Sequence, residues 1–144
     1  MTTVGQILKE KGFDVWSVNS TDTVFKALQL MAEKNVGALV VLNQGNLQGI
    51  FSERDYARAV AARREESNDT LVGGLMSKDV VCVDAGSTVE KCMQLMTSER
   101  IRHLPVMEGE RIAGMISIGD VVNAIIGELK FSVKQMENYI SGVS

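Results

Sequence analysis

The chain repeats itself at a spacing of 65 residues. Val18 to Asp55 aligns with Val83 to Asp120 without a gap, and twelve of the 38 aligned positions are identical. Chance at such a composition would give roughly two or three identities. A duplication strongly constrains the fold, because both copies must form the same unit and each has apolar surface that it cannot bury alone. We therefore expect one structural unit, used twice.

Within each copy, a short β-branched segment precedes an amphipathic helix. Val15–Val18 and Val80–Val83 are rich in valine, which favours strands. Apolar residues then recur at i, i+3, i+4 and i+7, starting from Val24 in the first copy and from Val89 in the second. This period is typical of a helix with one buried face. A strand followed by a helix is therefore predicted at the start of each copy.

The residues at the starts of these helices predict their N-caps. Ser87 is followed three residues later by Glu90, which is the spacing of a capping box. Asp22 occupies the aligned position in the first copy, where Phe25 replaces the glutamate and the box is incomplete. We expect Ser87 and Asp22 to accept hydrogen bonds from the first turns of the two helices.

Each helix is followed by a predicted hairpin and a second helix. Turns are expected at Gln44–Asn46 and Glu108–Glu110, because each contains a glycine between two apolar runs. The predicted strands cover residues 38–42, 47–51, 104–107 and 112–116, and the predicted second helices cover residues 55–64 and 120–130. The order in each copy is therefore strand, helix, strand, strand, helix, which is an α/β (α+β) arrangement.

Both hairpins run into the pattern Gly-apolar-apolar-Ser-x-x-Asp, at Gly49–Asp55 and at Gly114–Asp120. Serine followed three residues later by an acid suits the start of a helix, so a purely structural cap is one interpretation of each copy. The same junction presents free backbone N–H groups, a hydroxyl and a carboxylate, which are the groups needed to hold a sugar and a phosphate. The occurrence of two copies, each after a strand, favours a ligand site.

Composition and charge exclude several classes of function. The net charge is −3 and the 15 lysines and arginines are scattered, so we predict neither a nucleic-acid nor a membrane partner. The chain lacks a signal-peptide pattern and has no stretch of roughly 20 apolar residues, which predicts a cytoplasmic location. Cys82 and Cys92 lack metal-ligand spacing, and we expect no disulfide between them. Because His103 is the only histidine and no nucleophile pairs with it, we predict no metal site, no catalytic residues and no enzymatic activity.

The C-terminal part of the chain carries an apolar stripe outside the duplication. Leu129, Val133, Met136 and Ile140 are spaced by 4, 3 and 4 residues, which predicts a third helix with one apolar face. A second apolar face is expected on the preceding helix, at Val121, Ala124 and Ile125. Exposed stripes of this kind are commonly covered by a partner, so we predict a homodimer.

The domain boundaries follow from the duplication. We predict a first repeat at residues 8–68, a second repeat at 75–132 and a C-terminal helical tail at 133–144, with a polar linker at 65–70 between the repeats. The segments Val4–Leu8 and Val72–Met76 also resemble each other and precede the two copies.

The duplicated βαββα pattern, the Gly-x-x-Ser-x-x-Asp ending and the segment Arg102–Val106 resemble the cystathionine-β-synthase (CBS) domain. The pair resembles a stand-alone Bateman module over about residues 4–130. This resemblance implies two repeats packed sheet to sheet with pseudo-two-fold symmetry. It also implies clefts between the repeats that bind adenosine ligands such as AMP, ADP, ATP, NAD or S-adenosylmethionine, no required cofactor, and an energy-sensing signal to an unknown effector protein. The alternative is a structural or protein-interaction pair that binds no ligand.

The resemblance carries residues of this chain into the site. In the family the matching aspartate takes the ribose hydroxyls, which implies this role for Asp55 and Asp120, with the matching serine toward the phosphate or ribose. Arg102 and His103 align with Gly37 and Ala38, so we expect unequal clefts with tighter binding in the second, unless His103 is an ordinary hairpin residue. The predicted ligand-binding residues of the second copy are Arg102, His103, Leu104, Pro105, Ser117, Ile118, Gly119 and Asp120, and those of the first are Gly37, Ala38, Ser52, Arg54 and Asp55.

Overall fold

The computed structural model describes residues 1–62 and 69–142. The first copy of the repeat has the predicted order of elements, and the second has the same order except for its first strand. In chain order the elements are α1 (Val4–Lys11), β1 (Ser17–Val18), α2 (Val24–Lys34), β2 (Ala38–Asn43), β3 (Asn46–Ser52), α3 (Glu53–Ala61), α4 (Val72–Leu75), α5 (Val89–Glu99), β4 (His103–Glu108), β5 (Arg111–Ser117) and α6 (Ile118–Ile140). The end of the predicted helix at 63–64 and most of the predicted linker, at 65–68, lie outside the described residues. The predicted mixed α/β fold is confirmed.

The first repeat forms the predicted three-stranded sheet, in the order β1-β2-β3. β1 is parallel to β2, and β2 is antiparallel to β3. The turn between β2 and β3 consists of Gln44 and Gly45, whose φ angles of 52° and 83° suit a two-residue hairpin. One face of the sheet packs on α2, and the buried side chains include Leu39, Val41 and Phe51. This unit therefore has its own apolar core.

The second repeat has only two regular strands, β4 and β5. The strand predicted at Val80–Val83 is reduced to a single parallel bridge between Val83 and Val106. In the first repeat, the Val40 N–H donates to the Trp16 carbonyl at 3.2 Å and extends the ladder. Pro105 aligns with Val40 and has no N–H to donate, so the corresponding ladder cannot extend.

The caps predicted for α2 and α5 were wrong by one residue. Thr23 and Thr88, which are identical in the two copies, are the N-caps, and each accepts a hydrogen bond from the backbone three residues later. Asp22 instead accepts a hydrogen bond from the Asn19 N–H at 2.8 Å and closes the preceding turn. The hydroxyl of Ser87 is likewise used in a turn, with Asp84. Both acceptors therefore serve the turn before the helix.

The segments that precede the two repeats are exchanged between them. α1 precedes the first repeat but bonds to the second, since the Val4 N–H donates to the Ser87 carbonyl at 2.9 Å. α4 precedes the second repeat but bonds to the first, since the Val72 N–H donates to the Asp22 carbonyl at 2.9 Å. One compact unit thus contains Met1–Phe13, Cys82–Glu108 and the residues from Gly114 onward, and the other contains the described part of Asp14–Val81 together with Gly109–Ala113.

The two helices predicted after β5 are a single helix, α6, which runs without a break from Ile118 to Ile140. Of the apolar face predicted on its first part, Val121 is fully buried in the core and is not available to a partner. Beyond it Leu129, Val133 and Ile140 are 54% to 81% exposed. No helix in the described ranges is long and apolar enough to cross a membrane.

Candidate ligand site at the second Ser-x-x-Asp junction

The two Ser-x-x-Asp junctions form the same reciprocal cap at the starts of α3 and α6. Ser117 Oγ accepts a hydrogen bond from the Asp120 N–H at 3.2 Å, and the Ser117 N–H donates to Asp120 Oδ2 at 2.8 Å. Ser52 and Asp55 repeat this geometry at 3.2 and 2.8 Å. The predicted capping role is therefore confirmed in both copies, and it leaves each carboxylate with further acceptor capacity.

The residues before each hairpin lie beside these junctions. The Arg102 carbonyl accepts a hydrogen bond from the Ile118 N–H at 2.8 Å, and the Gly37 carbonyl accepts one from the Glu53 N–H at 3.0 Å. The backbone of Arg102 therefore lies next to the Ser117–Asp120 junction. The Arg102 side chain is exposed, and the aligned Gly37 has no side chain at the first junction, where the arginine is Arg54 instead.

The other predicted site residues differ in exposure. His103, Ile118, Ser52 and Arg54 are partly buried, and Gly119 is exposed. Leu104 and Pro105 are buried within β4, as is Ala38 within β2, so these side chains belong to the interior of their units. The polar and exposed members of the predicted set are therefore the ones that can meet a ligand directly.

Asp120 has a partner that the sequence did not suggest. Lys11 Nζ, at the end of α1, lies 2.7 Å from Asp120 Oδ2 and 2.9 Å from the Met115 carbonyl oxygen. The side chains of Lys11 and Asp120 are 37% and 20% exposed. The two residues are 109 positions apart in the chain, so no local pattern connects them. Their contact depends on the docking of α1 against the second repeat.

The surroundings of Asp120 keep its carboxylate ionised. Burial by itself would raise the pKa of Asp120. Hydrogen bonds from Lys11 and from the Ser117 N–H, together with the charge of Lys11, outweigh burial and hold the pKa of Asp120 below its ordinary value. At neutral pH the group is therefore an anion that accepts hydrogen bonds and donates none.

Asp55 is held differently at the first junction. Ser77 Oγ donates to Asp55 Oδ1 at 2.9 Å, and the N–H and hydroxyl of Ser52 donate to Asp55 Oδ2 at 2.8 and 3.0 Å. Ser77 is itself fixed by two backbone hydrogen bonds to Ile50 in β3, of 2.8 and 2.9 Å. Both oxygens of Asp55 thus accept hydrogen bonds from neutral groups on a fixed backbone. The two aspartates are equivalent in sequence but not in bonding.

The glycine that opens each junction makes room for the docked segment. A Cβ on Gly49 would lie 2.6 Å from the Ser77 carbonyl oxygen, and a Cβ on Gly114 would lie 2.8 Å from a methyl carbon of Leu8. These contacts explain why both copies carry glycine three residues before the serine.

A cleft of about 590 Å³ between α1 and α6 has Lys11 and Asp120 in its wall. Its volume is within the usual range for small-molecule sites. Polar side chains from both helices line it: Gln6, Glu10, Asn123 and Glu128. Among the described residues there is no group of three or more His, Cys, Asp or Glu side chains that could hold a metal ion. The cleft is therefore lined by polar and apolar side chains. One of them is Asp120, the carboxylate to which the resemblance assigns the ribose hydroxyls.

Comparison with known proteins agrees with the duplication. The family model of the CBS domain matches residues 4–62 and 72–127. The chain is 39% identical over 150 aligned residues to the mitochondrial CBS domain-containing protein CBSX3 of Arabidopsis thaliana, covering 98% of this chain and 73% of that protein. It is 44% identical, with a TM-score of 0.84, to the structure of a putative signal-transduction protein with CBS domains from Burkholderia ambifaria, covering 88% and 95% of the two chains.

A more distant structure shares the fold. The CBS domain pair of protein MJ0100, solved in complex with 5-methylthioadenosine and S-adenosyl-L-methionine, has a TM-score of 0.78 at 22% identity and covers 89% of this chain and 98% of its own. The two family matches lie on the two copies of the internal repeat. The chain belongs to the CBS-domain family and carries two CBS domains in tandem.

Proposed function

We propose that the protein is a regulatory sensor that binds an adenosine nucleotide of the AMP, ADP, ATP or NAD type and catalyses no reaction. The proposal rests on the ionisation, burial and position of Asp120. It is an ionised, partly buried carboxylate at the start of a helix, and Arg102 lies beside that helix start. A carboxylate accepts hydrogen bonds from both hydroxyls of a ribose, and arginine and helix N–H groups suit phosphate.

The similarity of fold to the MJ0100 domain pair supports an adenosine ligand, because that protein was solved with two adenosine compounds. The second junction is the stronger candidate in this chain. Arg102 and His103 are at this junction, and Gly37 and Ala38 offer no side-chain donor at the first. In addition, both oxygens of Asp55 already accept hydrogen bonds from the protein. We therefore assign the tighter site to the second repeat, with Ser117, Asp120, Arg102 and His103 as the polar residues.

A panel of AMP, ADP, ATP, NAD and S-adenosylmethionine, tested by thermal shift and calorimetry, checks this assignment. Mass spectrometry of small molecules released from the purified, denatured protein is the companion measurement, because it identifies a ligand that co-purifies. We expect at least one compound to raise the melting temperature. A flat response to the whole panel, with no released nucleotide, would instead favour the alternative of a structural or protein-interaction pair.

The signal to an effector protein is proposed to pass through a homodimer formed by α6. Six exposed apolar residues of α6 are spaced alternately by 4 and 3, as in a coiled coil: Val122, Ile126, Leu129, Val133, Met136 and Ile140. In an antiparallel pair centred on residue 131, the stripe of one copy would meet the stripe of the other, with Val122 near Ile140, Ile126 near Met136 and Leu129 near Val133. The helix is therefore complementary to a second copy of itself.

Light scattering of the wild type and of Val133→Glu tests the dimer. A glutamate at Val133 would place a charge in the middle of the interface, and this desolvation should raise the dimer dissociation constant at least about tenfold. Gln135→Glu is the control, since it adds the same charge on the opposite side of α6. A monomeric wild type at high concentration would refute the dimer.

The cytoplasmic location stays a prediction that cell fractionation tests, because the Arabidopsis relative is named as mitochondrial.

A further inference from the structure

The Lys11 ammonium makes two hydrogen bonds at the second junction that the N–H and the hydroxyl of Ser77 make at the first. At the first junction the Ser77 N–H donates to the Ile50 carbonyl at 2.8 Å, and Ser77 Oγ donates to Asp55 at 2.9 Å. Met115 and Asp120 are the aligned acceptors of the second junction, and both accept from the single ammonium of Lys11, at 2.9 and 2.7 Å. At the second junction, one lysine side chain therefore contacts both the strand and the aspartate. At the first junction, the Ser77 backbone pairs with the strand and the Ser77 hydroxyl contacts the aspartate.

A lysine side chain can leave this position without breaking secondary structure. Its ammonium is on a flexible four-carbon stem and the side chain is 37% exposed, so water can replace its hydrogen bonds at small cost. Ser77, by contrast, cannot move without breaking its two backbone hydrogen bonds to Ile50. Displacement of the Lys11 side chain therefore removes its hydrogen bonds to both Met115 and Asp120, whereas displacement of the Ser77 hydroxyl leaves the two backbone hydrogen bonds to Ile50 in place.

The backbone next to Lys11 is suited to a change of direction. Gly12 ends α1 with φ of 109° and ψ of 167°, a conformation that glycine adopts readily and other residues rarely do. Its N–H donates the last hydrogen bond of α1, to the Leu8 carbonyl at 2.8 Å. The chain passes from one compact unit to the other directly after this point, between Phe13 and Asp14. Release of Lys11 would therefore act next to one of the points at which the chain passes between the two units.

We propose that Lys11 is a latch that ribose binding opens. Its ammonium lies 2.7 Å from Oδ2 of Asp120, which is the residue that we assign to the ribose hydroxyls, so the two compete for one carboxylate. A nucleoside that takes Asp120 displaces Lys11 and frees the last turn of α1. This inference rests on the proposed function and adds to it the route by which occupancy of the second junction reaches the N-terminal segment.

The direct test compares Lys11→Met with the wild type, using adenosine as the probe in calorimetry. Adenosine carries no phosphate, so attraction between Lys11 and a phosphate cannot contribute to its binding. Removal of a competing exposed ion pair should tighten adenosine binding by about two- to fivefold. Lys9→Met, in the same last turn of α1, is the matched control and should bind as the wild type does. With 2′-deoxyadenosine, which lacks the vicinal diol, the gain should be much reduced.

Hydrogen exchange gives a second readout. In the wild type, saturating adenosine should speed exchange of the amides in the last turn of α1, including Gly12, and in Lys11→Met these amides should exchange fast before any ligand is added. Equal adenosine affinity of Lys11→Met and the wild type would overturn the latch while leaving the nucleotide sensor intact. Weaker binding in the variant would also overturn it, because Lys11 would then be a ligand contact. If neither protein binds any compound of the panel, the proposed function fails and the latch fails with it.

Discussion

Lys11 and Asp120 are 109 residues apart in the sequence, yet Lys11 Nζ lies 2.7 Å from Asp120 Oδ2. The contact joins the segment that precedes the first CBS domain to the capping aspartate of the second. The aspartate therefore has three roles to reconcile: it caps α6, it pairs with a lysine, and it is our candidate for the ribose. Substitutions at and around this pair separate these roles.

Asp120→Asn should weaken nucleotide binding far more than it weakens the fold. The asparagine oxygen can still accept a hydrogen bond from the Ser117 N–H, so the cap survives in part and the loss of stability should be about 1 kcal/mol or less. The ribose hydroxyls lose a charged acceptor, which should cost roughly 1.5 to 3 kcal/mol, or about tenfold to over a hundredfold in affinity. Calorimetry and thermal melts measure the two effects. A large drop in melting temperature with unchanged binding would make Asp120 a cap only.

Arg102→Ala should lower the affinity for AMP but leave the affinity for adenosine nearly unchanged. The Arg102 carbonyl accepts a hydrogen bond from the first residue of α6, so its side chain starts beside that helix end. A charge-assisted hydrogen bond to phosphate is worth roughly 1.5 to 3 kcal/mol. Arg58→Ala, on an exposed position of α3 in the first repeat, removes the same charge elsewhere and is the control. Two identical sites by calorimetry, unaffected by Arg102→Ala, would contradict the predicted inequality of the two junctions.

The ion pair of Lys11 and Asp120 should stabilise the fold at neutral pH and cease to do so in acid. Because the pKa of Asp120 is lowered by folding from its ordinary value of 3.8, its contribution is fully present above that value. The contribution is lost as the pH falls below 3.8 through the folded-state pKa. Both side chains are partly exposed, so we expect at most about 1 kcal/mol. Urea unfolding of the wild type and Lys11→Met should give curves that differ at pH 7 and draw together as the pH is lowered stepwise below 3.8.

Gly49→Ala should destabilise the protein more than Gly114→Ala does. The new Cβ at Gly49 would lie 2.6 Å from the Ser77 carbonyl oxygen, which is backbone held by pairing with β3. The new Cβ at Gly114 would meet the methyl groups of Leu8 at 2.8 and 2.9 Å, and a side chain can shift more readily than a backbone segment. Overpacking against backbone should cost about 1 to 3 kcal/mol in the free energy of unfolding. Equal losses in chemical denaturation would show that Leu8 is as rigid as the Ser77 backbone.

Local features were predicted well because their causes are local. The helical period from Val24 and from Val89, the glycine turns and the Ser-x-x-Asp caps all depend on residues within a few positions of one another. The errors have local causes too. Thr23 and Thr88 cap the helices in place of Asp22 and Ser87, since those two acceptors are used in the preceding turns. A proline at position 105 removed one donor and reduced a predicted strand to a bridge.

The sequence by itself determined the duplication, the α/β class of each repeat, the membership of the CBS-domain family and the two capped junctions. Only the tertiary structure decided that α1 docks on the second repeat and α4 on the first, and hence that Asp120 meets Lys11 whereas Asp55 meets Ser77. The physical reason is the range of the interactions. Caps, turns and helical periods are encoded over three to eight residues, whereas the partner of a carboxylate depends on which distant segment covers the same apolar surface, and both leading segments carry nearly the same apolar pattern.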